Sequence, residues 1–203
     1  FGYISFQAQH YPHQAPQSDI DKYMGRYDKG WVDVRQERYD RQVKMGLVPA
    51  GLKMNKNGDV KDWDALTDKE KKTSSKRMAV YAAMLDNLDD SIGRLRDYLQ
   101  RVDQLDNTII VFMSDNGADN NDQVAIFPEW YAANFDLDDE KMGLKGTYTN
   151  YGSGWATVSN TPLTLYKGAA SEGGMRVPFF VSCPEKVKAG VRTNKFAYVT
   201  DIA

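Results

Sequence analysis

Residues 74–114, SSKRMAVYAAMLDNLDDSIGRLRDYLQRVDQLDNTIIVFMS, carry the two strongest structural signals in the chain. Apolar side chains recur there at alternating steps of three and four, the spacing of one helical face: Met78, Tyr81, Leu85, Leu88, Ile92, Leu95 and Leu99. The sequence therefore predicts a helix over 75–101, with a serine at 74 or 75 as its cap. After a short turn, a continuous apolar, β-branched run predicts a buried core strand over 108–114. Helix, turn and buried strand in this order are typical of a crossover in an α/β sheet, which is the fold class we predict.

The remaining sequence predicts fewer regular elements. The run VPFFVS predicts a second buried core strand over 177–182, and GYISFQAQ predicts a strand over 2–9. Between the core strands lies a variable loop over 119–160, which has no clean period and in which we expect short helices. Its aromatic residues either line a pocket for an aryl or sugar group or pack on one another; they include Trp130, Tyr131, Phe135, Tyr148 and Tyr151.

The composition is that of an ordinary globular protein. The 203 residues are 41% hydrophobic and 27% charged, with a formal net charge of −2. Because this balance offers no basic surface, we predict no nucleic-acid partner. No apolar run in the sequence has the length of a membrane span. The single cysteine, Cys183, excludes an intrachain disulfide, and we predict that it is a small buried hydrophobic residue.

The predicted strand over 108–114 is followed directly by Asp115, Asn116 and Gly117. Ligands gather at the carboxyl ends of strands in open α/β sheets. A carboxylate and an amide carbonyl at that position are hard oxygen donors suited to Ca²⁺ or Mg²⁺. Asp-Asn-Gly after a strand is also ordinary turn chemistry. The three residues alone leave both interpretations open.

Two histidines, His10 and His13, follow the first predicted strand. The proline between them and the lack of a nearby cysteine argue against a closed zinc site. From the residues alone, a loop histidine packed against aromatic side chains is the favoured interpretation of His10.

A lysine stands ahead of a glycine pair in residues 161–185, TPLTLYKGAASEGGMRVPFFVSCPE. Glycine permits positive φ and close backbone approach, so this loop is suited to deliver a side chain to a ligand. The Lys167 ammonium has three donors that can hold a tetrahedral oxyanion. It can equally be a solvated loop residue. Arg176 either reaches an acidic group of such a site or pairs with Glu172 to hold the loop.

Three blocks of the sequence together resemble the type I sulfatases, the arylsulfatase branch of the alkaline-phosphatase-like superfamily. They are QAQHYPHQAP, then YAAMLDNLDDSIGRLRDYL with TIIVFMSDNGA, and then NTPLTLYKGAASEGGMRVPFFV. The segments DKYMGRYDKGW and RQERYDRQVKMGLVPA are similar to the bacterial arylsulfatase subgroup. The resemblance implies an alkaline-phosphatase-like mixed sheet flanked by helices. It also implies a sulfuric ester hydrolase that acts on a small-molecule or glycan sulfate ester.

The resemblance assigns expected roles to four residues. Asp115 and Asn116 match the metal ligands of the family, which bind Ca²⁺ in most members, with Mg²⁺ as the alternative. His10 matches the histidine that contacts the sulfate or its leaving oxygen, and Lys167 matches the lysine that binds the sulfate. Bacterial members of the family are often periplasmic or secreted, which is the only indication of compartment.

Part of the family pattern has no counterpart in this sequence. The family nucleophile is a formylglycine made from Cys or Ser in a Cys/Ser-x-Pro-x-Arg motif, and Cys183 in SCPEK does not fit it. Further metal-binding aspartates, a lysine and a histidine that precede this region in the family are also absent. We therefore expect residues 1–203 to be a fragment of one sulfatase catalytic domain, lacking its N-terminal strands and inactive alone. The alternatives are a phosphodiesterase or phosphonate monoester hydrolase of the same superfamily, or a non-catalytic binding module or pseudoenzyme.

Overall fold

The computed structural model describes residues 1–193 and 195–202 and combines helices with a small sheet. The helices are α1 (Gln17–Asp21), α2 (Gly30–Lys44), α3 (Asp68–Arg101), α4 (Gln123–Ile126), α5 (Pro128–Asn134), α6 (Gly152–Ser159) and α7 (Glu172–Met175), with 3-10 helices at Trp63–Ala65 and Val199–Ile202. The strands are β1 (Ile110–Met113) and β2 (Phe179–Ser182). This content agrees with the predicted α/β class. The helices pack mainly on one another, α1 against α3 and α2 against α6, so the flanking of the sheet by helices stays a prediction.

The long helix α3 begins seven residues before the predicted start at 75. Thr67 caps it: its hydroxyl accepts from the Glu70 N–H at 3.3 Å, and the Glu70 carboxylate accepts from the Thr67 N–H at 2.8 Å. This reciprocal capping box satisfies two N–H groups that the first turn leaves free. Hydrophobic periodicity missed the start because residues 68–73 are all polar. The predicted face is buried at Met78 and Leu88, whereas Leu85 is 49% exposed.

Three tryptophans form the centre of the hydrophobic core. Trp31 of α2, Trp63 of the 3-10 helix and Trp155 of α6 meet edge to face, with ring centroids 4.8–5.9 Å apart. The indole N–H of Trp155, which is fully buried, donates to the carbonyl and hydroxyl oxygens of Ser74 at 2.9 Å each. The cluster therefore joins three helices that are far apart in sequence. A Cβ at Gly154 would lie 2.4 Å from the Trp31 ring, so only glycine fits beneath that indole.

The predicted core strands over 108–114 and 177–182 exist as the shorter β1 and β2, and their predicted burial is wrong for the described structure. They pair antiparallel, Ile110 with Ser182 and Met113 with Phe179, and no third strand joins them within residues 1–193 and 195–202. Every residue of β2 is exposed. A two-stranded ribbon cannot cover both of its own faces, so apolar side chains remain in solvent. Cys183, directly after β2, is 2% exposed, which confirms its predicted burial.

The predicted strand over 2–9 is wrong: those residues form no strand. The apolar side chains Tyr3, Ile4 and Phe6 within it are exposed. A strand needs a neighbouring strand to bond its N–H and C=O groups, and the sequence pattern does not supply that partner.

The predicted variable loop over 119–160 contains the short helices α4 and α5, as expected. Its last part is different, because α6 is a core helix rather than loop: Trp155, Ala156 and Val158 are 3% exposed or less. The lack of a clean apolar period had predicted a loop there. Close packing against Trp31 of α2 explains Gly154, whereas Gly152 has open space around it and a positive φ of 73°.

Candidate active site

The DNG loop (residues 115–117) follows β1 directly, as the sequence predicts. The Ser114 hydroxyl donates to the Asn116 carbonyl at 3.0 Å, which fixes the turn at the strand end. Asp115 is exposed and Asn116 is half-buried. Among the hydrogen bonds and ion pairs of the described residues, neither side chain has a partner. Both side-chain oxygens are thus free to bind a ligand.

A set of glycines brings the DNG loop into backbone contact with the segment around Lys167. The Gly117 N–H donates to the Gly174 carbonyl at 3.0 Å. A Cβ at Gly117 would lie 1.8 Å from the Gly173 oxygen, and one at Gly173 would lie 2.1 Å from the Leu165 oxygen. A Cβ at Gly174 would lie 2.2 Å from the Ala169 oxygen. Close approach, rather than positive φ, is therefore the reason for the Gly-Gly pair.

The lysine loop (residues 164–171) places Lys167 beside the DNG loop. The Lys167 N–H donates to the Ala118 carbonyl at 2.9 Å. Two residues with positive φ flank it, Leu165 at 64° and Gly168 at 86°, so the chain turns sharply on both sides. The Lys167 ammonium lies 3.5 Å from a carboxylate oxygen of Asp119. These contacts fix Lys167 in the site, so it is not a freely solvated loop residue.

Asp119 is a site residue that the sequence interpretation missed. Its side chain is 16% exposed, and it pairs with Lys167 across the two loops. Burial is the main cause of the raised pKa of the Tyr11 hydroxyl, and the negative charge of Asp119 raises it further. Asp119 therefore lies within electrostatic reach of the segment that carries His10. The signal available in the sequence was its position, four residues after the Asp115 that follows a strand end.

His10 is exposed, and its ring lies on Tyr11 with centroids 4.2 Å apart. Its Nδ1 is 2.7 Å from the Tyr11 carbonyl oxygen. In the part of the chain that the structure describes, no hydrogen bond joins it to Lys167 or to the DNG loop. The structure therefore brings together the two loops but leaves His10 on a neighbouring segment. This contact with an aromatic ring agrees with the favoured interpretation from the residues alone.

Arg176 does not reach an acidic group of the site. Its guanidinium lies 3.1 Å from the Glu172 carboxylate, one turn away across α7, and both side chains are 65% exposed. The sequence left this pairing open as the alternative role of Arg176, and the structure shows it.

An open cleft of about 540 Å³ lies beside the lysine loop. Lys167 lines it together with polar side chains of two other segments, Asp59, Asn120 and Asn121. The cleft gives an anion held by Lys167 a route to solvent and space for an attached group.

His13 is a buried neutral histidine. It is 2% exposed and packs edge-on against Tyr81 and Tyr151, with ring centroids 5.2 and 5.4 Å away. Its Nδ1 has no partner among the described residues. Burial, assisted by the nearby His10, lowers the pKa of His13 from its ordinary value of 6.5 to about 3.

Acidification is expected to destabilise the protein through His13. The unfolded chain binds a proton near pH 6.5 and the folded chain near pH 3, so stability is complete above pH 6.5 and falls between these values. The slope is about 1.4 kcal/mol per pH unit within that window. Urea unfolding across the window measures it, and His13→Leu is expected to remove this component. His10→Gln is expected to keep most of this component, because burial is the larger cause of the lowered pKa of His13 and the nearby His10 the smaller one. A free-energy difference between wild type and His13→Leu that does not change with pH would contradict the prediction.

The oxygen donors at the DNG loop are of the chemical types that bind a hard divalent cation. Asp115 and Asn116 offer one carboxylate and one amide oxygen, both uncommitted, on a loop fixed by the Ser114 hydrogen bond. Ca²⁺ takes roughly six to eight oxygen ligands, so these two residues form only part of a coordination shell. Within residues 1–193 and 195–202, no group of three or more His, Cys, Asp or Glu side chains stands together as a complete metal site.

Comparison with known proteins decides the family. The sequence profile of the family described as Sulfatase matches residues 1–203. The chain is 39% identical to an uncharacterized sulfatase of Schizosaccharomyces pombe and 34% identical to an arylsulfatase of Klebsiella aerogenes, and each match covers 100% of this chain. The chain belongs to the sulfatase family. An N-acetylgalactosamine-6-O-sulfatase of Bacteroides thetaiotaomicron is 30% identical over 55% of the chain.

This sulfatase chain spans less than half the length of the relatives that it matches along its whole length, 37% of the yeast protein and 44% of the Klebsiella protein. The predicted resemblance is confirmed at the level of the family. Among the described helices, none is long and apolar enough to cross a membrane.

Proposed function

We propose that this chain supplies the anion-binding and part of the metal-binding side of a sulfuric ester hydrolase site. In the proposal, the whole protein cleaves a sulfate monoester, and a formylglycine outside residues 1–203 attacks sulfur. Family membership supports the reaction class. The finer assignments rest on the residues of this chain.

One observation carries the proposal: the backbone contact between the DNG loop and the lysine loop. Two hydrogen bonds connect each loop to the residues that follow the other: the Gly117 N–H donates to Gly174 of α7, just after the lysine loop, and the Lys167 N–H donates to Ala118, directly after the DNG loop. They hold uncommitted oxygen donors and a lysine ammonium on adjacent loops at the end of β1. A sulfate ester needs such fixed positive charge, because its sulfuryl oxygens carry negative charge throughout the reaction.

The residues of the chain take complementary parts in the proposed reaction. Lys167 binds the sulfuryl oxygens as a point charge, and its pairing with Asp119 keeps the ammonium in place before substrate arrives. Asp115 and Asn116 would hold Ca²⁺ or Mg²⁺, which when bound supplies further positive charge at the sulfate. His10, exposed beside Tyr11, donates a proton to the leaving oxygen as the S–O bond breaks.

Loss of one proposed metal ligand is expected to weaken calcium binding. Asp115→Ala removes the only carboxylate of the DNG loop, and we expect the full-length protein to bind Ca²⁺ at least about tenfold more weakly. Isothermal titration after chelator treatment measures the affinity. Asp97→Ala, at an exposed aspartate of α3, is the matched control. Equal affinities in Asp115→Ala and Asp97→Ala would remove Asp115 from the proposed metal site.

Substrate comparison tests the reaction itself. The full-length protein should hydrolyse 4-nitrophenyl sulfate faster than bis(4-nitrophenyl) phosphate or a phosphonate monoester. Peptide mass mapping of the same protein should find a formylglycine in a Cys/Ser-x-Pro-x-Arg motif. Preference for the phosphorus esters would establish the phosphodiesterase or phosphonate hydrolase alternative instead. Failure to hydrolyse any of these esters, without a formylglycine, would favour the non-catalytic binding module.

A further inference from the structure

The cleft beside Lys167 has both apolar walls, from residues such as Leu165 and Ala169, and polar ones. Residues from three separate segments line it: the loop at 58–59, residues 120–121 and the lysine loop. Besides Lys167, its lining offers one carboxylate, at Asp59, and two amides, at Asn120 and Asn121. Its volume of about 540 Å³ is in the range of pockets that hold small organic ligands.

The Asp59 carboxylate is oriented by neutral donors. The Tyr166 hydroxyl lies 3.4 Å from one carboxylate oxygen, and the Asn120 amide nitrogen donates to the other at 3.3 Å. Burial raises the pKa of Tyr166 to about 12, so its hydroxyl stays protonated and remains a donor. Among the ion pairs of the described residues, none involves Asp59. Its remaining lone pairs are therefore available to accept hydrogen bonds from a neutral ligand.

The amide of Asn120 is held from two sides. It donates to Asp59 and also lies 3.4 Å from the Ser153 hydroxyl at the start of α6. This leaves the amide oxygen of Asn120 as a further acceptor at the cleft. A carboxylate and an amide fixed in this way are suited to hydroxyl groups, which donate one hydrogen bond each.

The aromatic residues of the variable loop lie elsewhere. Tyr131, Phe135 and Tyr148 pack on one another with ring centroids 4.3–5.7 Å apart, and Trp130 joins them at 4.9 Å from Tyr131. None of these four side chains lines the cleft. The second interpretation of this aromatic stretch, packing within the loop, thus accounts for them. Among the described residues that line the cleft, the one aromatic ring is that of Tyr166, whose hydroxyl lies beside Asp59.

We propose that the cleft binds a polyhydroxylated, sugar-like leaving group, with Asp59 and Asn120 accepting hydrogen bonds from its hydroxyls while Lys167 holds the attached sulfate. This inference rests on the proposed function, because it takes Lys167 as the sulfate-binding residue. In this proposal, the loop at 58–59 determines which substrate is bound. That loop lies more than 100 residues before the lysine loop in the sequence.

The test compares sugar sulfates with an aryl sulfate. Glucose 6-sulfate, galactose 6-sulfate, N-acetylglucosamine 6-sulfate and 4-nitrophenyl sulfate are assayed with the full-length protein and its Asp59→Ala variant. We expect Asp59→Ala to lower the ratio of kcat/KM for the preferred sugar sulfate to that for 4-nitrophenyl sulfate at least about tenfold. Asp62→Ala is the matched control: it lies on the same stretch, its side chain is 71% exposed, and it pairs with Lys56 outside the cleft.

A binding measurement separates this inference from the proposed reaction. Calorimetry without turnover compares the affinities of the same sugar sulfates and of inorganic sulfate in the two proteins. The protein could bind a sugar sulfate through Asp59 and yet hydrolyse no sulfate ester. That result would overturn the proposed sulfatase reaction and leave the sugar-binding cleft in place. Asp59→Ala could instead change neither the kcat/KM of any sugar sulfate relative to 4-nitrophenyl sulfate nor its affinity relative to inorganic sulfate. That result would overturn the sugar-binding cleft, even if sulfate esters are hydrolysed.

Discussion

Gly173→Ala is expected to lower kcat/KM of the full-length protein at least about a hundredfold, because it forces the lysine loop away from α7, the helix to which the DNG loop is hydrogen-bonded. The added Cβ would lie 2.1 Å from the Leu165 oxygen and 2.5 Å from the Thr164 oxygen. Backbone atoms cannot yield as the tip of a flexible side chain can. The lysine loop must therefore move by an ångström or more, and a misplacement of about 1 Å can cost about 10²-fold in rate.

The same substitution is expected to reduce the free energy of unfolding by about 1–3 kcal/mol, the usual cost of overpacking. Denaturant unfolding and steady-state kinetics measure the two effects on one preparation. Gly93→Ala is the matched control, since no atom lies within 4 Å of a Cβ at that position and α3 favours alanine over glycine. If Gly173→Ala were as stable and as active as Gly93→Ala, the close contact of α7 with the lysine loop would not be what builds the site.

The residues proposed for the candidate site could be named from the sequence because the patterns that mark them are local. Asp115 and Asn116 directly follow an apolar strand, and Lys167 precedes a Gly-Gly pair. Both patterns are contained in a few adjacent residues. The sequence predicted that the glycines allow close backbone approach, but not which residues approach. The contact of Gly117 with Gly173 joins positions 56 residues apart and is known only from the fold.

Periodicity failed where structure depends on other signals. The start of α3 is set by the reciprocal hydrogen bonds of Thr67 and Glu70, which a search for apolar residues ignores. Helix α6 was assigned to the variable loop because that stretch has no clean apolar period, although the helix packs closely on α2 where Gly154 lies beneath Trp31. Polar capping and close helix contact thus decided elements that hydrophobic spacing alone did not predict.

The pairing of strands and the electrostatics of buried groups could not be predicted from the sequence, for a different reason. A run such as 2–9 has strand character, but a strand forms only with a partner, and the partner is a property of the whole fold. His13 and Asp119 are ordinary polar residues in sequence. Burial beside two tyrosine rings gives His13 its low pKa, and proximity to Lys167 gives Asp119 its place in the site.

Lys167→Ala is the second substitution for which we expect a large effect. Its ammonium is the fixed positive charge that the chain itself brings to the site, held by Asp119 at 3.5 Å and by its backbone hydrogen bond to Ala118. Removal of one preorganised group that stabilises charge in the transition state costs about 10²–10³ in rate. Arginine is not expected to restore it, because the broad guanidinium does not replace a compact ammonium in a fitted site.

The control for this variant is another lysine of the same chain. Lys145 is exposed and forms no ion pair within the described part of the chain, so Lys145→Ala removes the same charge without touching the loops. Because Lys167→Ala leaves the Asp119 carboxylate without its partner, circular dichroism and denaturant unfolding of each variant must accompany the kinetics.

The most direct test of the account is kcat/KM for 4-nitrophenyl sulfate in the full-length protein, its Lys167→Ala variant and its Lys145→Ala variant. We predict a loss of about 100- to 1000-fold for Lys167→Ala with folding retained, and a change of less than about twofold for Lys145→Ala. A folded Lys167→Ala protein that hydrolyses the sulfate ester as fast as the Lys145→Ala control would contradict the assignment of this loop to the sulfate.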